Sequence, residues 1–267
     1  MVRTVIAGAT GRMGRQLVLL IGSTPELRLH AACASADSAQ LGTDSGRLAA
    51  GADNGVPVRP DLPGALRDAQ LLIDFSAAAC SAAHVAAARA ARVPLLLGTT
   101  GWNADVEALL DDAARDIPVL QAANTSVGVA VLADLVQRAS AALGTGFDIE
   151  IIETHHRMKL DAPSGTALAL GEAAAAGRGA ELASLRTPAE RSGAARADGH
   201  IGIASVRGGD VVGEHEVHFL GPGERLMLRH SATDRALFAR GALQAGRWLA
   251  GQPAGRYSMA DYLASRS

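Results

Sequence analysis

Lysine is nearly missing from this 267-residue chain: among its 25 Lys and Arg residues, Lys159 is the one lysine. Cysteine is as scarce. Cys33 and Cys80 stand alone at no metal-like spacing, which excludes a disulfide framework and points to two small hydrophobes rather than a redox pair. A basic excess is also absent. The net charge of −2 and sequence pI of about 6.4 remove the electrostatic case for a nucleic-acid partner, which needs clustered cations to meet phosphates. No apolar run is expected to reach the roughly 18 residues of a bilayer span, and the start MVRTVIAGATGRMG breaks into glycines too early for a signal-peptide core. A cytoplasmic protein without a membrane partner is therefore expected. Paired catalytic carboxylates, a G-x-S-x-G elbow and an H-E-x-x-H zinc helix are missing as well, so no metal site is expected.

What is present reads as two domains, since single cores usually stop growing near this length. Short β-rich runs at 4–7, 29–33, 71–75, 94–97 and 118–122 alternate with Ala-rich helical stretches at 13–21, 82–91 and 104–115, the last with Asn103 as N-cap. That alternation predicts an α/β fold, a Rossmann-like doubly wound parallel sheet of the dinucleotide-binding type. A longer helix over 128–143 leads into FDIEIIETHHR, a strand that delivers His155 and His156 at its end. After an Ala-rich helix and a loosely patterned connection (177–199), strand-like runs at 201–207, 211–220 and 225–230, with GGD and GPGE as turns, predict an α+β unit with an open mixed sheet. A helix over 234–250 closes the chain and can fold back on the first domain.

Two stretches carry chemistry. In VIAGATGRMGRQL, Gly8, Gly11 and Gly14 sit between a strand and a helix, where they permit a tight turn and close approach to a pyrophosphate; Arg12 adds a cation. The second strand ends in AACASADS, so Ala34 and Ser35 stand where an NAD-specific fold usually has a carboxylate. Without that repulsion a 2′-phosphate is tolerated, which favours NADPH; Asp37 stands as a late substitute for the carboxylate. LLLGTTGW and QAANTS follow strands in the same register, putting Gly98, Thr99, Thr100 and Asn124 at the ligand end of the sheet.

In HHRMKLDAPSGTAL, His155, His156, Arg157 and Lys159 crowd four potential cations into five positions, and Ser164-Gly165-Thr166 opens a helix whose free N–H groups favour an anion. Histidine and lysine can give up protons usefully, whereas arginine cannot, so a lone lysine here points to proton transfer beside a carboxylate pocket. In GEHEVH, strand alternation puts His215 and His218 on opposite faces, giving them a structural or interface role. His30, His84, His200 and His230 are isolated and receive no role.

GATGRMG, IDFS, GTTG, AANTSVG, HHRMKLDAPSGTAL and VRGGDVVGEHEV together resemble the 4-hydroxy-tetrahydrodipicolinate reductase (dihydrodipicolinate reductase) family over essentially the whole chain. The resemblance implies a dinucleotide-binding domain over 1–126, completed by 237–267, and a substrate-binding and tetramerisation domain over 127–236. It implies NADPH- or NADH-dependent reduction of (2S,4S)-4-hydroxy-2,3,4,5-tetrahydrodipicolinate, a cyclic dicarboxylate, to tetrahydrodipicolinate with loss of water, in lysine and diaminopimelate biosynthesis, by a homotetramer. Matched residue by residue, His155 is the proton donor or acceptor and Lys159 the second donor. His156, Gly165 and Thr166 meet substrate carboxylate; Gly8, Ala9, Thr10, Gly11, Arg12, Met13, Ser35, Gly98, Thr99, Thr100, Ala122, Ala123, Asn124 and Thr125 meet the cofactor. Three positions depart from the family pattern. Ala34-Ser35 replaces an acidic-basic pair, Thr125 replaces a common aromatic, and Met158 replaces a third histidine. Two other readings are a non-catalytic dinucleotide sensor and a semialdehyde dehydrogenase that uses Cys80 with an activating base.

Overall fold

The chain begins with a strand whose residues are buried on both faces, as expected where helices cover both sides of a parallel sheet. The computed structural model describes residues 1–102, 104–187 and 196–266. It divides into two units, Met1–Val127 with Ala236–Ser267, and Gly128–Arg235.

In the first unit the order is β1 (Val2–Ala7), α1 (Arg12–Ile21), β2 (Leu27–Cys33), α2 (Ser45–Ala50), β3 (Val58–Arg59), α3 (Leu62–Ala65), β4 (Leu71–Asp74), α4 (Ser81–Ala91), β5 (Leu95–Leu97), α5 (Ala104–Ala113) and β6 (Pro118–Gln121). Helix α1 buries Gly14, Leu17, Val18 and Ile21, the 3.6-residue stripe its sequence predicts. α2, α3 and β3 escaped the sequence reading because they are too short to show a period. Local chemistry sets them: the Asp44 carboxylate accepts from the N–H groups of Gly46 and Arg47 to start α2, and Gly51 ends it in the left-handed region at φ 86°. The Asn103 cap lies outside the described residues.

The second unit holds α6 (Val127–Leu143), β7 (Asp148–His155), α7 (Gly165–Gly177), α8 (Leu182–Leu185), β8 (Ile201–Arg207), β9 (Gly213–Gly221) and β10 (Glu224–Ala232). Its sheet runs β10-β9-β7-β8, with β8 parallel to β7 and β9 antiparallel to both its neighbours. The three late strands are therefore not a simple meander. β8 and β9 flank β7, and GGD is not a hairpin turn but a loop folded over the end of β7, with His156 N–H donating to Val211 and Arg157 N–H to Gly209. Leu132 and Val136 of α6, Leu170 and Ala174 of α7, and Ile149, Ile151, Val217 and Phe219 of the sheet form one core. Of the connection read at 177–199, residues 188–195 lie outside the described residues. The remainder is anchored rather than loose: α8 buries Leu182, and Arg196 pairs with Asp148 and Glu150.

One expectation about membranes needs correcting. Residues Val127–Gly146 are long and apolar enough to cross a bilayer by length and composition, with a mean hydropathy of 1.3. The same helix buries Leu132 and Val136 in the unit's core and carries an Asp134–Arg138 ion pair on its outer side, the pattern of an amphipathic core helix.

The chain then returns with α9 (Ala236–Leu249), β11 (Gly255–Tyr257) and α10 (Met259–Ala264). β11 adds to β6, giving a parallel sheet in the order β11-β6-β5-β4-β1-β2-β3. The order reverses between β1 and β4, the switch point outside which doubly wound sheets bind ligands.

Candidate active site

The register of the parallel sheet aligns four strand ends in one row: Ala7 faces Asp74, Asp74 faces Leu97, and Leu97 faces Gln121. Gly8, Phe75, Gly98 and Ala122 therefore lie side by side at its carboxyl edge. Backbone does the work here. Gly8 takes φ +74°, and a Cβ on it would come within 2.6 Å of the Phe75 carbonyl; a Cβ on Gly14 would come within 2.1 Å of the Gly8 carbonyl. Helix α1 starts at Gly11 with no side-chain cap and no acidic residue in its first turn, so its N–H groups are left for an anion. That cradle fits a dinucleotide pyrophosphate.

Around it, Arg12 and Thr100 are exposed, and Thr10, Met13, Gly98 and Asn124 are half-buried. Ala9 is buried, its N–H donating to Cys33. Two side chains are already engaged: the Thr99 hydroxyl donates to Ser76 at 3.1 Å and the buried Thr125 hydroxyl to Phe238 at 2.7 Å. Both hydroxyls are thus engaged within the protein. Ala122 is buried and Ala123 exposed. Ser35 is exposed and hydrogen-bonds to Asp37, which holds that carboxyl below its ordinary range. His84 is not isolated: its Nδ1 lies 2.8 Å from the buried Asp74 carboxylate of IDFS.

The sequence reading passed over Arg59. It pairs with Cys33 across β2 and β3, its carbonyl accepts from Ala34 N–H, and it makes no ion pair with a carboxylate among the described residues. Cys33 is buried, and burial pushes its thiol up to about 11, as for an inert hydrophobe. Cys80 is free and half-buried.

The second unit supplies side chains instead. On β7 alternate residues face inward, and the inward set changes along the strand from Ile149 and Ile151 to Glu153 and His155. Glu153 is wholly buried. It accepts from His155 Nδ1 at 2.5 Å, from both terminal nitrogens of Arg207 at 2.8 and 2.7 Å, and from the Ser164 N–H at 3.1 Å. Burial works against its charge, but hydrogen bonds from Arg207, Ser205, His155 and Ser164 prevail and hold its pKa at about 2. The pKa of His155 is lowered too, but for a different reason: burial depresses it, helped by the charges of Lys159 and Arg207 and opposed by the Glu153 carboxylate.

His215 corrects a second expectation. It does face away from His218, but it stands opposite Glu153, packs edge-on against His155 with ring centres 5.1 Å apart, and lies 3.2 Å from the Ser164 hydroxyl. It belongs to the site. Burial, then the neighbouring His155, push its pKa down to about 4, so the ring is neutral. Strand parity was the available signal, but only the β7–β9 register says what the inward face meets.

Lys159 is not free. Its Nζ donates to the Asp161 carboxylate at 2.8 and 2.9 Å, and this pairing holds the Asp161 pKa below its ordinary range. Arg207 also donates to the Asp161 carbonyl at 2.7 Å, tying the lysine loop to Glu153. Ser164 caps α7 by accepting from Ala167 N–H, which leaves Gly165 exposed and Thr166 half-buried on the first turn. His156 is half-buried beside them. Ring nitrogens, an ammonium and the first turn of a helix thus share one strand end, an arrangement able to hold carboxylates and exchange protons. Among the described residues no three His, Cys, Asp or Glu side chains converge as a metal site.

Comparison with known proteins agrees over the full length. Residues 2–125 match the family model "Dihydrodipicolinate reductase, N-terminus" and 128–263 the model "Dihydrodipicolinate reductase, C-terminus". The chain is 50% identical over 263 residues to the 4-hydroxy-tetrahydrodipicolinate reductase of Methylocella silvestris, covering 98% of this chain and 96% of that one. It is 47% identical to the protein of the same name in Anaeromyxobacter dehalogenans, covering 100% and 99%. Among solved structures it is similar to dipicolinate-bound dihydrodipicolinate reductase from Paenisporosarcina sp., with a TM-score of 0.74, 25% identity and 97% of each chain covered. A myo-inositol 2-dehydrogenase from Lactobacillus plantarum, at 11% identity and a TM-score of 0.60, over 96% of this chain and 91% of that one, shares the fold alone. With both halves matched in order and half the residues identical to a named relative, this chain belongs to the dihydrodipicolinate reductase family.

Proposed function

We propose that this oxidoreductase reduces 4-hydroxy-tetrahydrodipicolinate to tetrahydrodipicolinate with loss of water, in lysine and diaminopimelate biosynthesis. The observation that carries the reading is the single strand end at which His155, the Lys159 loop and the N-terminus of α7 meet. Exposed Gly165 and half-buried Thr166 and His156 hold the substrate carboxylates, where the helix N-terminus and a ring nitrogen offer hydrogen-bond donors. His155 and Lys159 supply and take the protons that accompany reduction and the loss of hydroxide as water. NADPH or NADH, bound by Gly8 through Met13, Gly98 through Thr100 and Ala122 through Thr125, supplies the hydride.

NADPH is the preferred donor. Ala34 and Ser35 offer no carboxylate to repel a 2′-phosphate, and Arg59, paired with the last residue of β2, offers a cation for it. The protein works in the cytoplasm as a homotetramer built through the outer face of the second sheet, where Val206 and Met227 are exposed. The test is oxidation of NADPH and NADH, in parallel, with a fresh condensation product of pyruvate and aspartate semialdehyde. Substrate-dependent oxidation is expected, with Arg59→Gln raising the KM for NADPH about tenfold and leaving NADH within about twofold. Tight nucleotide binding without turnover would instead favour the sensor.

A further inference from the structure

Glu153 takes no part in the proton steps above, yet it is fully buried and hydrogen bonds from His155, Arg207, Ser164 and Ser205 converge on its two oxygens. A buried carboxylate is costly to desolvate unless it is so satisfied. On this face of β7 an apolar side chain would simply continue the stripe of Ile149 and Ile151. The carboxylate performs something that a hydrophobe cannot.

Its Oε2 faces His155 Nδ1 and, being ionised, has no proton to give, so Nδ1 must be the donor. Nε2 is then the nitrogen left to exchange protons; it points toward Gly213, where even a Cβ would come within 3.0 Å. Arg207 fixes the carboxylate with two parallel hydrogen bonds and, through the Asp161 carbonyl, reaches the loop whose carboxylate holds Lys159. The groups facing the His155 ring are Glu153 on its own strand, Arg207 from β8, His215 from β9 and Lys159 from the loop.

We propose that Glu153, clamped by Arg207, is a positioning residue that holds His155 as its Nδ1–H form, presents Nε2 as the working nitrogen, and ties that ring to the Lys159 loop. The role of Nε2 rests on His155 being the proton-exchanging group of the proposed reaction.

The experiment uses the full chain. Glu153→Gln keeps the shape and an accepting oxygen but removes the charge. It should lower kcat about tenfold to a hundredfold while KM for the dicarboxylate stays within about threefold. The limb of the kcat pH profile that reports His155 should move to lower pH, because a lost negative charge no longer favours the imidazolium. In a His155→Ala background the same change should cost nothing further; a full, additive loss there would overturn the proposal. Should Glu153→Gln fail to fold, Arg207→Lys, which keeps the cation but loses the paired geometry, must show the same split between kcat and KM. Proton–nitrogen NMR of the His155 ring is independent of the reaction. An Nε2–H form overturns the proposal, whereas an Nδ1–H form without turnover supports the Glu153 clamp and sinks the reductase reading.

Discussion

The carboxyl edge of the parallel sheet and the carboxyl end of β7 reach ligand chemistry by opposite means. At the first, function lies in what side chains leave out: Gly8 and Gly14 have no room for a Cβ, and α1 has no capping side chain. At the second, the proposed function rests on side chains that constrain one another, with Glu153 held by Arg207, His155 by Glu153, and Lys159 by Asp161. A backbone site tolerates change until a steric limit is crossed, whereas a charge network responds to any change of a partner.

The largest effect should come from the network. His155→Ala and Lys159→Ala should each reduce turnover about a hundredfold or more, read as substrate-dependent NADPH oxidation, with unfolding little changed for the half-exposed Lys159. Lys159→Arg sharpens the point: it keeps the charge that meets Asp161 but not a usable proton, so activity near that of the parent would mean that this cation only binds. Next comes the backbone site. Gly14→Ala drives a Cβ to 2.1 Å from the Gly8 carbonyl, so cofactor affinity should fall about tenfold or more and stability by about 1–3 kcal/mol, measured by titration and by thermal unfolding. Intact cofactor binding in that variant would erase the contrast between the two regions.

The smallest effect is one of pH. His215 has a pKa near 4 in the fold against an ordinary 6.5, so between those values the unfolded chain binds the extra proton. Stability is fully present above pH 6.5 and should fall as the pH drops toward 4. Glu153, at about 2 against 4.5, adds a second loss between pH 4.5 and 2. The dependence of Tm on pH should flatten between 6.5 and 4 in His215→Gln, and an unchanged slope would show that other groups set it.

Much of this was legible before the fold was known. The alternation of short apolar runs and Ala-rich stretches located β1, β2, β4, β5 and β6 to within a few residues, because a strand buried on both faces leaves an unbroken apolar run. Lys159 and His155 stood out by residue type and crowding. Glu153 did not, since one of three acidic residues in a strand resembles surface charge, although its parity with Ile149 and Ile151 marks it as inward. His215, given a structural or interface role from parity alone, and Arg59 and Arg207, given none, owe their places to strand pairing.

By itself the sequence determined the turn after β1, the cap of α7 and the cation cluster after β7, because each depends on residues within a few positions of one another: a glycine's access to positive φ, a serine oxygen beside free N–H groups, the proximity of like charges. Only the tertiary structure decided that β8 and β9 flank β7, and with them that Arg207 and His215 close around Glu153 and His155. Pairing between strands some fifty residues apart is chosen by which faces can be buried together, and no local pattern records that choice.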